Sequence, residues 1–564
     1  MTGIGSILLA FGLAAPLLML PFVPFVRQPL SLLPWAAVPA LAAALLVAPG
    51  TTAGLPMLLL GMMIGLDRIG AIFLGFGALL WCLGGVYARG YLADTAHPAS
   101  FAAFWLLVLT GTLGTFIAAD IVTFYASFSM MSLATYGLVV HDRSASARRA
   151  GRVYIVLAVL GETALLAGFM LAASAAGSIL IADLRVMLAG SPQGGFILAG
   201  LLIGFGIKAG LVPLHVWLPL AHPEAPTPAS AVLSGVIVTA GIIGLIRLLP
   251  ADGPLATSGD ALAVLGIVTA YYGVAAGLMQ SDAKTILAYS TLSQMGLIIA
   301  VLGSGMSAAG LDRAADVATL YAAHHGLAKA ALFLAVGITA ASRGRARLAV
   351  IAVTAFAALS IAGLPLSGGA LAKLAIKEPL GGGTIALAVS LSAIGTTMLM
   401  VRFLSVLTRE DGHRSGIKET GQWLLVLPWA GAAAAALALP WVMFPALTGA
   451  PSYYPLLPDN LWIALWPILF AIVPAVLWQR LGVGQAIPRG DIVVIGERLV
   501  SRIGSGMAKL AAPIAGMRSA GRASATAVRS LAGLDAAEQA LQRWAISGSA
   551  VVLTAMLIGL MLVM

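Results

Sequence analysis

The sequence predicts an all-α polytopic membrane protein, and three features predict it. Of its 564 residues 60% are hydrophobic and only 9% are charged, too few charges to cover a soluble chain of this size. Apolar runs recur from Ile4 to about Trp478, divided by short loops rich in Gly, Pro or charge. Most have the roughly 20 residues that a helical span needs. The basic residues give a formal net charge of +10, yet they gather in those loops, the pattern of membrane topology and not of nucleic-acid binding.

Helices are expected at 4–24, 32–48, 69–90, 101–118, 120–140, 152–174, 195–219, 228–249, 259–280, 284–303, 316–340, 347–377, 384–407, 421–446 and 461–479, with a last one near 546–563. The first run lacks a basic leader, since Met1 to Ser6 carries no Lys or Arg, and reads as a retained helix. The apolar piece Leu55 to Leu66 is short for a span and is expected to be re-entrant or paired with a neighbour. Between Arg489 and Trp544 the chain is mixed polar and apolar, and predicts an amphipathic surface helix leading to the final span.

Arg89, then Arg143, Arg148, Arg149 and Arg152, follow the third and fifth helices; Arg343, Arg345 and Arg347 follow the eleventh, and Arg409, Arg414 and Lys418 the thirteenth. Loops after even-numbered helices are sparse in charge, with Arg68, Arg185, Arg247 and Arg313 as exceptions. The odd loops are therefore assigned to the cytoplasm and the N-terminus to the outside. Two spans are interrupted, one by Pro213 and Pro219, the other by Gly363, Pro365, Gly368 and Gly369. Breaks of this kind free backbone carbonyls that lipid cannot satisfy, and they point to an ion path.

Ionisable groups inside spans are costly and are functional candidates for that reason. They are Glu162, Lys208, His215, His325, Lys329 and Lys373, with Asp120 and Lys284 near span ends. Glu162 and Lys208 fall on consecutive helices, and a lysine whose protonation depends on a movable partner is a proton switch. His325 and Lys329 stand four apart on one helix face, with Tyr321 one turn earlier, a relay in outline. His324 points elsewhere and reads as a packing or water-contacting residue. Lys377 and Glu378 lie closer to a span end and are expected to snorkel. His215, His222 and Glu224 lack a metal-ligand spacing, and they read as a turn at a channel mouth. Cys82 is the only cysteine, so a disulfide framework or a cysteine-ligated cluster within this chain is excluded. No P-loop, HExxH or dinucleotide turn is present, and no cofactor or metal is expected.

These stretches resemble the antiporter-like subunits shared by respiratory complex I, the Mrp cation/proton antiporters, and membrane hydrogenases of the hydrogenase-4 and formate hydrogenlyase kind. The resemblance covers roughly Phe101 to Leu407 and rests on GFGIKAGLVPLHVWLPLAHPEAPTPASAVLSG, SDAKTILAYSTLSQMG, HHGLAKAALF and AGLPLSGGALAK. Lys208 falls on that family's seventh-helix channel lysine, Lys373 on the twelfth-helix one, and His325 with Lys329 on the eleventh-helix motif. The resemblance implies about fourteen core helices with two inverted five-helix repeats and broken helices 7 and 12, then a C-terminal lateral helix and extra spans. The corresponding divisions are 1–100 for the N-terminal helices, 101–250 and 251–410 for the repeats, 411–480, 481–545 for the lateral helix and 546–564. Three positions depart from the family pattern: Ser129 stands where the fifth helix usually carries glutamate, Tyr321 replaces a histidine, and Thr239 occupies a position often held by lysine. Glu162 is expected to take over as partner of Lys208.

The function expected is proton translocation along Glu162, Lys208, His215, Lys284, His325, Lys329 and Lys373, with Tyr321 and Asp120, in a multisubunit complex of the cell inner membrane. The expected partners are other membrane subunits of a redox or antiport complex and the lipid bilayer, with Na⁺ as the alternative ion and no nucleic acid. The other readings are a membrane subunit of an inorganic-carbon-accumulating complex and a non-conducting scaffold.

Overall fold

The computed structural model describes residues 2–58, 61–409 and 422–480, with the isolated positions 488, 490 and 494. The chain divides into Met1–Gly490 and Asp491–Met564, and the fold below is that of the first unit. The expected lateral helix and final span, and the loop holding Arg414 and Lys418, lie outside the described residues.

All fifteen helices expected between residues 4 and 479 are present. Fourteen of the described helices are long and apolar enough to cross a membrane, from Gly3–Phe22 to Pro458–Trp478. The remaining one, the seventh, is split into Gly194–Ala209 and Trp217–Glu224. The twelfth is split likewise, into Gly344–Ala362 and Gly368–Ala375. Both first halves end on a glycine at positive φ, Gly210 at 81° and Gly363 at 104°, the left-handed turn that a side chain resists. The eighth (Thr227–Leu248) and tenth (Ala283–Ser307) helices are buried throughout their apolar stretches, and the eleventh (Leu311–Ala341) nearly so. They form the axis, and the other helices surround it.

Helix starts follow local chemistry. Asp120 opens the fifth helix (Ile121–Val139) by accepting from the Thr123 N–H at 2.7 Å and the Thr123 hydroxyl at 2.6 Å. Asp282 opens the tenth in the same way, with both Thr285 donors at 2.8 Å. Each cap satisfies donors that a helix start leaves orphaned. By span count the two caps sit at opposite faces of the bundle.

The piece 55–66 belongs to neither a span nor a re-entrant helix. Strands β1 (Thr51–Leu55) and β2 (Met62–Leu66) pair antiparallel, Thr51 opposite Leu66 and Leu55 opposite Met62, so of the two expectations for this piece it is pairing with a neighbour that holds, and among the described residues this hairpin is the sheet of an otherwise helical fold. A short apolar segment satisfies its backbone this way without crossing the bilayer. Asp120 clasps it, accepting from the Met63 N–H at 2.7 Å.

The four arginines that break the charge pattern are each paired. Arg68 meets Asp316, Arg185 meets Asp312 at 2.6 Å, Arg247 meets Asp67 at 2.8 Å and Arg313 meets Glu378. Each tie is built from residues at the even-loop ends of the helices, where its charge is cancelled. Arg247 also donates to the carbonyls of Phe116 at 2.7 Å, Ala118 at 3.1 Å and Thr115 at 3.3 Å, closing the end of the fourth helix (Pro98–Ile117). Arg247→Gln should therefore lower stability by about 2 kcal/mol, the cost of a broken buried pair reduced because Asp67 is half-exposed. Thermal unfolding in detergent measures it, and an unchanged midpoint would contradict this role.

Candidate functional site: a buried polar line

The first cluster joins the fifth, sixth (Ala145–Ala176) and seventh helices. Gly204 lies so close to the sixth helix that an added Cβ would stand 2.8 Å from the Gly161 carbonyl and 2.1 Å from Leu165. This seam of small residues brings Glu162 and Lys208 within electrostatic reach of each other. They form no direct ion pair within bonding distance. The Lys208 Nζ donates to the Ser132 hydroxyl at 2.7 Å and to the Tyr154 hydroxyl at 3.3 Å, and Tyr154 donates to the Ser132 carbonyl at 2.7 Å. The rings of Phe128, Tyr154 and Trp217 stand 5.3, 5.5 and 5.9 Å from the ammonium, a further stabilisation of its charge. Ser129 and Ser132 lie beside the Glu162 carboxyl. Glu162 Oε1 and the Ser129 hydroxyl are buried without a partner, which is the setting for an ordered water. Lys208 occupies the last turn of its half-helix, where the dipole favours a cation. The carbonyl of Ile207, freed by the break, accepts from the Trp217 indole at 2.7 Å.

The second cluster is on the eleventh helix. Lys329, fully buried, donates to the Leu287 carbonyl at 3.0 Å. His325 lies one turn away with both ring nitrogens unpartnered. Facing it, the eighth helix carries one π-helical turn, Leu233–Ile237, a distortion frequent at functional sites. In that turn Ser234 shares a 2.6 Å hydrogen bond with Thr291. The two helices meet backbone to backbone, since a Cβ on Gly326 would stand 2.3 Å from the Gly235 carbonyl. Tyr321 donates to Gln294 Oε1 at 2.7 Å, and Gln294 donates to Thr396 at 3.4 Å. That chain reaches the thirteenth helix (Thr384–Arg409).

The third cluster is the break in the twelfth helix. The Lys373 Nζ donates to the freed Ala362 carbonyl at 2.8 Å. His324 Nε2 lies 3.0 Å from the Ser360 hydroxyl, which also accepts from the Gly369 N–H at 3.3 Å, so His324 packs on the break.

The remaining candidates divide. Lys284 donates to the Ala225 carbonyl at 2.7 Å, at the odd-loop end. His215 is buried edge-on to Tyr272, with ring centres 5.0 Å apart. Asp120 spends both oxygens on the fifth-helix cap and the hairpin, which makes its observed part structural. His222, read from sequence only as part of a turn, is fully buried and stacked on Phe333 at 4.8 Å. Both its ring nitrogens lack partners, and it lies within electrostatic reach of Lys284 and Lys329. Ser132, Tyr154, Gln294, Thr396 and Ser234 were also missed, because a hydroxyl or amide in an apolar run carries no spacing signal. Among the described residues no three His, Cys, Asp or Glu converge as metal ligands.

Comparison with known proteins places the chain in a family. The family described as NADH:quinone oxidoreductase/Mrp antiporter, TM, matches residues 118–398, the stretch that holds all three clusters. The NAD(P)H-quinone oxidoreductase chain 4 1 of Picosynechococcus is 30% identical over 376 residues, 63% of this chain and 69% of that one. Hydrogenase-4 component B of Escherichia coli is 33% identical over 263 residues, 44% of this chain and 38% of the other. The chain spans about half the length of the curated relatives it matches first. The fold is that of a chain in the Mrp complex from Dietzia, with a TM-score of 0.67 and 22% identity over 83% of this chain and 99% of the other. This multi-pass membrane protein belongs to the NADH:quinone oxidoreductase/Mrp antiporter transmembrane family.

Proposed function

We propose that this chain moves protons across the cell inner membrane along a line of buried side chains and water, as one subunit of a larger membrane complex. One observation carries the reading: Lys208, Lys329 and Lys373 are each held in the membrane interior by neutral oxygens and not by a closed ion pair. A static salt bridge would fix its proton; an ammonium on a hydroxyl or a lone carbonyl is held loosely enough to exchange it. The order proposed is Glu162 and Lys208, then His325 and Lys329, then the Tyr321–Gln294–Thr396 bonds and Lys373. His222 would connect Lys284, at the odd-loop mouth, to Lys329. The names of its relatives, a quinone oxidoreductase chain and a hydrogenase component, support partners that carry redox chemistry, and the Mrp likeness supports an antiport assembly.

Reconstitution into vesicles with a pH-sensitive dye tests the reading. The assembled complex should acidify or alkalinise the lumen when driven, and Lys208→Met and Lys329→Met should each cut the rate at least about tenfold without loss of subunits. Equal rates in wild type and both variants would reject the path. No flux in any of them would leave the scaffold reading, which Ser129 favours.

A further inference from the structure

Of the cavities that adjoin the second half of the twelfth helix, two are lined by lysine. One, of about 40 Å³, is lined by Lys373, Lys377, Ser390 and Asn460 against the apolar Trp466 and Pro467. The other, of about 400 Å³, is lined by Lys377, Glu378, Thr448, Tyr454 and Asn460. The smaller has room for about three waters; the larger falls within the roughly 300–1,000 Å³ of ligand sites. Lys377 and Asn460 belong to both, so they form the wall between them.

The charges here do not cancel. Lys373, in the last turn of that half-helix, and Lys377, at the start of the short helix Lys377–Leu380 that follows it, line the same small cavity. Lys373 is held only by the Ala362 carbonyl, and Lys377 has no hydrogen bond or ion pair among the described residues. The neighbouring acid, Glu378, is already engaged by Arg313, which also donates to the carbonyls of Leu447 and Thr448 at the end of the fourteenth helix (Trp423–Thr448). Two lysines and one arginine thus face a single carboxylate. The walls are apolar, and Leu387 and Trp462, on the helices that flank the clefts, are 61% and 56% exposed. A soluble anion would find charge here but a poor apolar surround. A zwitterionic headgroup would bring its own ammonium against the lysines.

We propose that the Lys373–Lys377 cleft seats the phosphate of an anionic phospholipid, whose acyl chains lie along the exposed apolar faces of the thirteenth helix and the fifteenth (Pro458–Arg480). Lys377 and the second N–H of the Asn460 amide, whose first donates to the Tyr454 carbonyl at 2.8 Å, would contact the phosphate oxygens directly, and Lys373 would reach them through the waters of the smaller cavity. Lysine suits this as a point charge on a flexible stem. The cleft shares Lys373 with the proposed proton path, but the proposal rests on the cleft and its charge, and its test reads lipid retention and not flux.

The test is lipid retention by the purified full-length protein in nanodiscs of equal phosphatidylglycerol and phosphatidylcholine, read by native mass spectrometry. Phosphatidylglycerol should be retained about tenfold over phosphatidylcholine, as two lysines near a lipid phosphate provide. Lys377→Gln, at a partly buried position with no hydrogen bond or ion pair to lose among the described residues, should lower the ratio severalfold, and Lys373→Gln with Lys377→Gln should bring it near one. Glu378→Gln should leave the ratio unchanged or raise it. Equal retention of both lipids by the wild type, or a preference that survives the double change, would overturn the site. Displacement of phosphatidylglycerol by millimolar inorganic phosphate would also overturn the assignment to a lipid and leave a site for a free anion.

Discussion

Glu162→Gln should reduce driven proton movement at least about tenfold while the complex still assembles, and Ser129→Glu added to it should restore much of the rate. The carboxyl of Glu162 reaches the side of the Ser129 hydroxyl, so an acid built at either position would address nearly the same space. Without it, the Lys208 ammonium keeps only the hydroxyls of Ser132 and Tyr154 and three ring faces. Those hydroxyls can pass a proton, but neither carries the negative charge whose approach or withdrawal would shift where the Lys208 proton resides. Stability should change little, because Glu162 Oε1 makes no hydrogen bond to lose and glutamine keeps its volume. Dye-monitored flux in vesicles and subunit composition on the same preparation give the two readouts. Full pumping by Glu162→Gln would end the relocation. Failure of Ser129→Glu to rescue would show that the sixth-helix backbone, and not merely a carboxylate near Lys208, is required.

The second large effect is structural. Gly369→Ala should prevent the twelfth helix from seating, at a cost of about 3 kcal/mol. A Cβ there would stand 1.6 Å from the Ser360 carbonyl oxygen and 3.0 Å from the His324 ring. No rotamer relieves a clash with backbone. The two halves of the broken helix must part, and the hydrogen bonds that Ser360 makes to His324 and Gly369 go with them. Gly382→Ala is the control, since its added methyl meets nothing within 4 Å. The variant should purify as little or no monodisperse protein and melt well below the control. A melting point within a degree of the control would show that the break relaxes freely, and that its geometry does not set the position of Lys373.

Much of this was legible along the chain because lipid imposes a harsh rule on sequence. A segment that spans must be apolar for its whole length, so all fifteen helices stand out, and any Lys, His or Glu within one stands out as well. The two broken helices were visible for the same reason, as proline and paired glycine in otherwise unbroken apolar runs. The sequence also singled out Glu162 and Lys208 before any geometry was known. What it could not do was tell a charged residue on the axis from one at a cap. Asp120 and Lys284 both sit at span ends, yet one clasps a hairpin and the other lies within electrostatic reach of the buried His222.

Tertiary structure alone decided three matters, and each depends on distance between helices far apart in sequence. It paired the four exceptional arginines with acids that come from other spans or loops. It turned a short apolar piece into a hairpin held by Asp120. It recruited Ser132, Tyr154, Gln294 and Thr396, whose neutral side chains hide in any apolar run and acquire meaning only when a buried lysine, tyrosine or amide is brought within about 3 Å, the reach of a hydrogen bond. The chain's composition set where the backbone crosses the membrane, because transfer into lipid is additive along a segment; which polar atoms meet inside was set by packing, because a hydrogen bond has no range beyond contact.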